Sequence, residues 1–421
     1  MSEPTIINLD ALRGTFPSQA ISAMIEQGRI IAESRDMTKQ VQPSSLDFTL
    51  SSEAYRVPGS ILPHRRETVR DLARAYARQS IDLSSPQLLE RNKVYLVRIE
   101  ERFDLPMDVA AYTNNKSSTG RIDVATRSLC DHNPRYDKIP CGYQGEVWLE
   151  VVPKSFDVVA FAGLSLNQAI FYRDRKILST GELEVMSRDT HLLYDRRGRP
   201  LHFAVHKAIS MPERNTTGSA NVRTLPDAAG RPLDMSLLVY RDGKPVDTGE
   251  ALVEDGLLMT LDLDQDVVGY VARRTYDPVD MSKVGSHRAE EFFEAVPRPR
   301  SDLLWLERGR FYILSTYEFI RVPPDYAVEM LPYDTSAGEF RAHYAGFFDP
   351  GFGYGLQGEE KGTPAVLEVR AYDDDLIVRH KQPICRMAYE TLAERPSRLY
   401  HASIGSTYAS QRGPRLSKYF A

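Results

Sequence analysis

A chain of 421 residues, 42% hydrophobic and 26% charged, has the make-up of a soluble globular protein and exceeds one ordinary core. No run of about 18 apolar residues occurs, which excludes a transmembrane helix. The formal net charge of −5 disfavours non-specific binding to nucleic acid or to a membrane surface.

In chain order, MSEPTIINLDALRG lacks a basic-then-apolar signal pattern, so a cytoplasmic location is expected. Ser18 is placed to cap a short helix with Ile21, Met24 and Ile25 on one face and Gly28 at its end. Gln42 to Leu50 alternates apolar and polar residues like a strand. Over 66–79, Val69, Leu72, Ala73, Tyr76 and Ala77 have the spacing of an amphipathic helix. Most of the remainder is short alternating runs split by Pro, Gly, Asn and Asp, which predicts a mainly β protein with a few short helices. Cys130, Cys141 and Cys385 form no CxxC pair, and Cys130-Asp131-His132 is too compact for a metal site, so neither zinc nor a disulfide framework is expected.

The chain repeats itself. Leu89-Glu90-Arg91 with Tyr95 recurs as Leu306-Glu307-Arg308 with Tyr312, an offset of 217 residues. Pro106, Asp108 and Ala110 recur as Pro323, Asp325 and Ala327 at the same offset. Ser118 and Gly120 recur as Ser336 and Gly338, and Leu149-Glu150-Val151 as Leu367-Glu368-Val369, at 218. Such a period is too long for a solenoid and reads as a tandem duplication. The copies are expected at 1–211 and 212–421, joined near Pro212 to Gly218.

The copies differ where chemistry is expected. Copy one carries Lys116-Ser117-Ser118-Thr119-Gly120-Arg121, a cation, hydroxyls and an Arg in the pattern of a phosphate cradle. Copy two has Asp334 to Glu339 there, with Glu339 in the place of Arg121, which would repel a phosphate. Copy two instead has the tight turn Asp349-Pro350-Gly351-Phe352, followed by the strand Val366-Leu367-Glu368-Val369. Copy one has Pro140-Cys141-Gly142-Tyr143 at the turn. A Glu held by a rigid strand beside a turn is a candidate general base, and Glu150 and Glu368 are both eligible.

With these motifs in view, the chain resembles the dCTP deaminases of the dUTPase-like superfamily, in a two-repeat form. Lys116, Ser117, Ser118 and Arg121 match the family's (R/K)SSxxR motif. Asp349, Pro350, Gly351 and Phe352 with Val366, Leu367 and Glu368 match its DPGWxG hairpin and VLE strand, with a longer insert from Gly355 to Pro364. Tyr400, Tyr408, Gln411, Gly413 and Pro414 match the C-terminal tail that closes over the nucleotide, although Thr407 stands where the family usually has Lys. Gln42 to Asp47 is similar to the family's QPxSxD strand. The resemblance implies a tandem pair of dUTPase-like distorted β-barrel (β-clip) domains, a usually trimeric homo-oligomer and sites shared between barrels. It further implies a nucleotide substrate, dCTP, and conversion to dUTP and ammonia by water activated by a Glu. Substrate contacts would come from Lys116, Ser117, Ser118, Arg121, Asp349, Tyr400, Tyr408 and Gln411.

The HxE and PCxxC signatures of zinc deaminases are absent, so a metal-free Glu mechanism is expected, with Mg²⁺ entering only with the substrate triphosphate. The composite reading makes Glu368 the base, facing Ser117 and Arg121 of copy one, with Glu150 degenerate. The simpler arrangement pairs Glu150 with the cradle of its own copy. A dUTPase, a bifunctional deaminase–diphosphatase and a non-catalytic nucleotide-binding regulator remain alternatives. Gly351, Gly353, Gly355 and Gly358 do not lead from a strand into a helix, so they form no dinucleotide fingerprint. Asp373-Asp374-Asp375 reads as a solvated turn, and Arg412, Arg415 and Lys418 read either as a solvated basic terminus or as a lid that adds positive charge near a triphosphate.

Overall fold

The computed structural model describes residues 7–32, 36–201, 256–332, 346–372, 374–401, 407–409 and 411–421, with the backbone of four short strands between 203 and 252. The expected junction at 212–218, the segment Asp334 to Glu339 and Asp373 lie outside the described residues.

The protein is mainly β, with a few short helices, as its alternating runs predict. In the first half, strands Gln79–Asp82, Leu50–Val57, Val94–Asp104, Gln144–Pro153 and Val124–Cys130 form one sheet in that order, with Ile30–Ala32 also on Val94–Asp104. Strands Gly14–Thr15, Asn167–Arg173, Ala110–Asn115 and Lys138–Ile139 form a second, with Leu46–Asp47 on Asn167–Arg173. The second half repeats the plan. Thr363–Arg370 pairs with Phe311–Ile320, while Phe347–Phe348, Tyr326–Pro332, Pro383–Thr391 and Leu257–Thr260 lie side by side. The registers agree: Glu150 lies opposite Leu96 and Glu368 opposite Ile313.

The repeated Leu-Glu-Arg…Tyr motif has a physical cause. The Glu90 N–H donates to the Tyr95 hydroxyl at 2.8 Å, and the Glu307 N–H to the Tyr312 hydroxyl at 3.0 Å. The Arg91 and Arg308 N–H groups donate to Asp157 and Asp375, each at 2.7 Å. Both copies therefore satisfy the same turn backbone with the same side chains, as buried or partly buried N–H groups require. Asp375, read as part of a solvated run, is one of these caps.

Three local expectations are corrected. The first helix, Ser18–Glu26, has Pro17 at its N-cap with no side-chain cap, because Ser18 Oγ bonds Ser397 Oγ at 3.0 Å. The 42–50 alternation forms strand only at Leu46–Asp47 and from Leu50 onward. Between them and the helix, Ser44 turns away to bond the second copy. The 66–79 helix is Val69–Tyr76, started by the Thr68 hydroxyl accepting from the Asp71 N–H at 3.1 Å.

The halves exchange segments. Leu178, Leu183, Leu192 and Leu193 pack in the core of the second half. Val279, Met281, Phe292, Phe293, Phe311, Ile313, Val366 and Tyr419 pack in that of the first. The packing thus crosses the expected division at 211 in both directions. Val279–Asp280 adds to Val158–Ala160 as a parallel strand, and the Arg175 side chain links Glu329 at 2.6 Å to Glu390 across the halves.

Candidate active site

Where the halves meet, a cleft of about 340 Å³ is lined by Lys116, Ser117, Ser118 and Arg121 from copy one and by Asp349, Glu368, Tyr400, Tyr408 and Gln411 from copy two. Every expected site residue but Glu150 lies on it. Strand Ala110–Asn115 runs into a single helical turn, Ser117–Gly120, whose Arg121 N–H bonds the Ser117 carbonyl at 3.1 Å. This turn presents Ser117 outward and buries Ser118 and Arg121.

The buried Arg121 is held on three sides by the tail. Its Nη2 donates to Gln411 Oε1 at 3.0 Å, its Nη1 to the Arg415 carbonyl at 3.1 Å, and its guanidinium lies 3.7 Å from the Tyr408 ring centre. Gln411 Nε2 in turn donates to the Pro364 carbonyl at 2.8 Å, at the start of the strand carrying Glu368. The fourth side, Nε, bonds no protein group, and Glu368 Oε1 lies 4.0 Å from it, beyond hydrogen-bond reach.

Glu368 is 5% exposed. Burial pushes its carboxyl up to about 7, the Arg121 charge opposing and Asp123 adding to the rise. Among the described residues no side chain donates a hydrogen bond to it. A carboxyl with this environment exchanges its proton near neutral pH and, with no side chain bonded to it, keeps acceptor positions open to a reacting group.

Asp349 is tied into the wall. The Ser44 N–H and hydroxyl donate to its Oδ1 at 2.9 and 3.1 Å, and burial pushes its carboxyl up to about 6. Its turn closes through the Phe352 N–H to the Asp349 carbonyl at 3.1 Å. Gly351 has φ of 97°, and a Cβ there would meet Leu399 and the Tyr400 N–H at 2.9 Å. Phe348, Phe352 and Tyr400 then pack in series, edge-to-face and tilted, with ring centres 4.8 and 5.5 Å apart. The same turn exists in copy one, where the Tyr143 N–H bonds the Pro140 carbonyl at 3.2 Å. The turn itself was thus not divided between the copies. What copy one lacks is the Asp349 carboxylate.

Glu150 sits elsewhere. Its side chain is fully buried, with Oε1 2.5 Å from Arg127 Nη2 and Oε2 accepting from the Tyr136 hydroxyl at 3.0 Å, and Arg127 stacks on Tyr136 at 4.0 Å. Both its oxygens are engaged, and it does not line the cleft. The simpler pairing of Glu150 with the cradle of its own copy is not what the fold brings together.

Among the cleft residues that the sequence reading did not name as site groups are Asp47 and Gln168. Asp47 pairs with the Lys116 ammonium, Gln168 reaches in from strand Asn167–Arg173, and Lys418 lines the wall. Asp47 belongs to the Gln42–Asp47 motif, which was the available signal. Nothing local in the sequence marks Gln168.

A family model for the 2'-deoxycytidine 5'-triphosphate deaminase N-terminal domain matches residues 12–175, and one for its C-terminal domain matches 236–420. The crystal structure of a 2'-deoxycytidine 5'-triphosphate deaminase from Agrobacterium tumefaciens is 32% identical, covering 91% of this chain and 99% of that one, with a TM-score of 0.72. The chain belongs to the dCTP deaminase family. Among curated relatives, a dCTP deaminase from Natronomonas pharaonis is 26% identical over 157 residues, 36% of this chain and 76% of its own length. A dUMP-forming dCTP deaminase from Methanobrevibacter smithii is 24% identical over 159 residues, 36% of this chain and 77% of its own. These smaller family members match about one copy's worth of the chain. Among the described residues no helix is long and apolar enough to cross a membrane, and no group of three or more His, Cys, Asp or Glu gathers as for a metal ion.

Proposed function

We propose that the protein deaminates dCTP to dUTP and ammonia, with Glu368 as the general base. One observation carries this reading. A buried carboxyl with its pKa near 7, to which no side chain among the described residues donates a hydrogen bond, stands 4.0 Å from a buried Arg121, in a cleft made by both copies. In this reading Glu368 takes a proton from a water whose oxygen attacks C4 of cytosine, and passes it to N3. Glu368 then carries the proton of the new C4 hydroxyl to the exocyclic amine, and the C4–N bond breaks, releasing ammonia and leaving a carbonyl at C4. Arg121 keeps part of the Glu368 population ionised against the effect of burial.

Ser117, Ser118, Lys116 and Arg121 would hold the phosphates by charge-assisted hydrogen bonds. Tyr400, Tyr408 and Gln411 would close over the nucleotide, and Asp349 would fix the turn on which the base rests. Mg²⁺ would arrive with the triphosphate, coordinated by phosphate oxygens and water. The protein would work as a homo-oligomer on the cytoplasmic nucleotide pool, supplying dUTP for pyrimidine deoxynucleotide synthesis. Glu150 takes the structural role of anchoring Arg127 and Tyr136.

A second reading, release of dUMP and pyrophosphate, is favoured by the names of two curated relatives, from Methanobrevibacter smithii and Streptomyces avermitilis. Incubation with dCTP and dUTP separately, assaying ammonia and pyrophosphate, separates these readings. Ammonia alone from dCTP supports the deaminase, and both products support the dUMP-forming enzyme. Neither product would leave a non-catalytic nucleotide-binding regulator.

A further inference from the structure

The tail position that is usually Lys in the family is Thr407 here, and Thr407 lines the cleft without a charge to offer. A different tail residue brings a cation to the same cleft. Lys418 lines it too, half-buried, and among the described residues no carboxylate pairs with its ammonium. The neighbouring charges are Lys116 and Asp47, and the Asp47 carboxylate is bonded to Lys116. Two ammonium groups thus share one carboxylate, and beyond it the Lys418 ammonium has the face of the Tyr419 ring, whose centre is 5.5 Å away, but no second anion among the described residues. Burial, and then repulsion from Lys116, holds the Lys418 pKa below its ordinary value. A half-buried cation that is crowded by a like charge is stabilised by an incoming anion.

The position is also rigid. The Lys418 N–H donates to the Tyr408 hydroxyl at 3.2 Å, and its carbonyl accepts from the Gly285 N–H at 2.9 Å. On one side Ser417 Oγ donates to the Ser118 carbonyl at 2.7 Å, in the cradle turn itself. On the other, Tyr419 is 1% exposed in the core of the first half. Lys418 is therefore fixed beside Ser117 and Ser118 before any ligand arrives, and binding orders no new backbone there.

We infer that Lys418 is a phosphate-binding cation of this cleft, one that favours nucleoside triphosphates over less phosphorylated nucleosides and takes the place left by Thr407. The inference rests on the nucleotide reading above. It differs from a mobile-lid contact, because the charge stands on the anchored end of the tail.

The test is equilibrium binding of dCTP, dCMP and deoxycytidine to the full-length protein, alongside steady-state kinetics, for Lys418→Met and Lys418→Arg. Lys418→Met is expected to weaken dCTP binding by about 10- to 100-fold, the range for loss of one charge-assisted contact. Deoxycytidine binding should stay near wild type, KM for dCTP should rise with its Kd, and Lys418→Arg should restore most of the affinity. The methionine keeps the aliphatic stem, and thermal melting checks that the variant is folded. If the wild type prefers dCTP but Lys418→Met binds it as tightly, or loses dCTP and deoxycytidine equally, this inference is overturned and the nucleotide reading stands. A wild type with no preference for dCTP over deoxycytidine overturns both.

Discussion

Replacing Glu368 by Gln keeps the shape of the cleft and removes the group that accepts a proton. Loss of a general base lowers turnover by roughly 10²–10⁴-fold, so ammonia release from dCTP should fall into that range while KM changes little. The same substitution has a stability signature. The Glu368 carboxyl is raised from 4.5 to about 7, so the folded state binds a proton that the unfolded state has released. Stability from this residue is complete below about pH 4.5 and declines as pH rises toward 7. Above that, the ionised group costs the fold on the order of 3 kcal/mol relative to the unfolded chain. Gln carries no such cost, so at pH 8 the variant should melt at a higher temperature than wild type, and at pH 5 the difference should shrink. Activity of the wild type should fall on the acidic side of about pH 7, where Glu368 is protonated. A variant that keeps more than a tenth of the activity refutes the assignment of the base. A melting temperature that drops equally at both pH values refutes the electrostatic account.

Glu150→Gln should keep most of its activity and lose about 1–3 kcal/mol of stability by denaturant titration, since Arg127 and Tyr136 lose an ionic partner in a buried position. A dead Glu150→Gln beside an active Glu368→Gln would reverse the roles. Arg121→Ala should raise the Kd for dCTP by about 10- to 100-fold, and should move the acidic limb of the rate profile upward, because the cation that lowers the Glu368 pKa is gone. Deleting 401–421 should destabilise the whole protein rather than only weaken binding, because Tyr419 and Phe420 pack in the first core. Tyr408→Ala tests closure more locally, through a raised KM for dCTP on a variant that melting shows to be folded, although this buried ring also contributes to stability. Elemental analysis of the active protein should find no stoichiometric zinc, and a chelator should slow turnover only as far as it strips Mg²⁺ from the triphosphate. Zinc lost together with activity would end the metal-free mechanism.

The duplication was legible because its markers are local. Glu90 with Tyr95, and Glu307 with Tyr312, close a turn within five residues, so the spacing survives in sequence. The composite cleft was legible for another reason: each copy lacks what the other keeps. A parallel pair of buried carboxylates was missed. Glu101 accepts from the Thr49 hydroxyl at 2.6 Å, and Glu318 from the Thr260 hydroxyl at 2.6 Å. Phe48-Thr49-Leu50 and Met259-Thr260-Leu261 carried that signal, but the glutamates lie some fifty residues away and nothing local points to them. The strand expected from Gln42 fails for a similar reason. Ser44 spends its N–H and hydroxyl on Asp349, 305 residues later, and periodicity cannot register such a partner. Nor does composition show that a basic terminus, read as a solvated tail or lid, ends in an apolar anchor.

That anchor sets the order in which the protein can be finished. Tyr419 and Phe420 are made roughly 10–50 s after Phe156 at ordinary elongation rates, so the first half emerges without them. Phe420 lies far along the chain from Phe156, yet its ring packs 5.4 Å from Phe292 and 5.3 Å from Phe293, in the core that also holds Phe156 of copy one. The half made first is thus completed by residues made much later, and a growing chain cannot close its cleft until Tyr419 and Phe420 have emerged. A prematurely terminated product loses its core plug and its Lys418 together, and so is presented to proteolysis as an unfinished fold rather than as an inactive but stable enzyme.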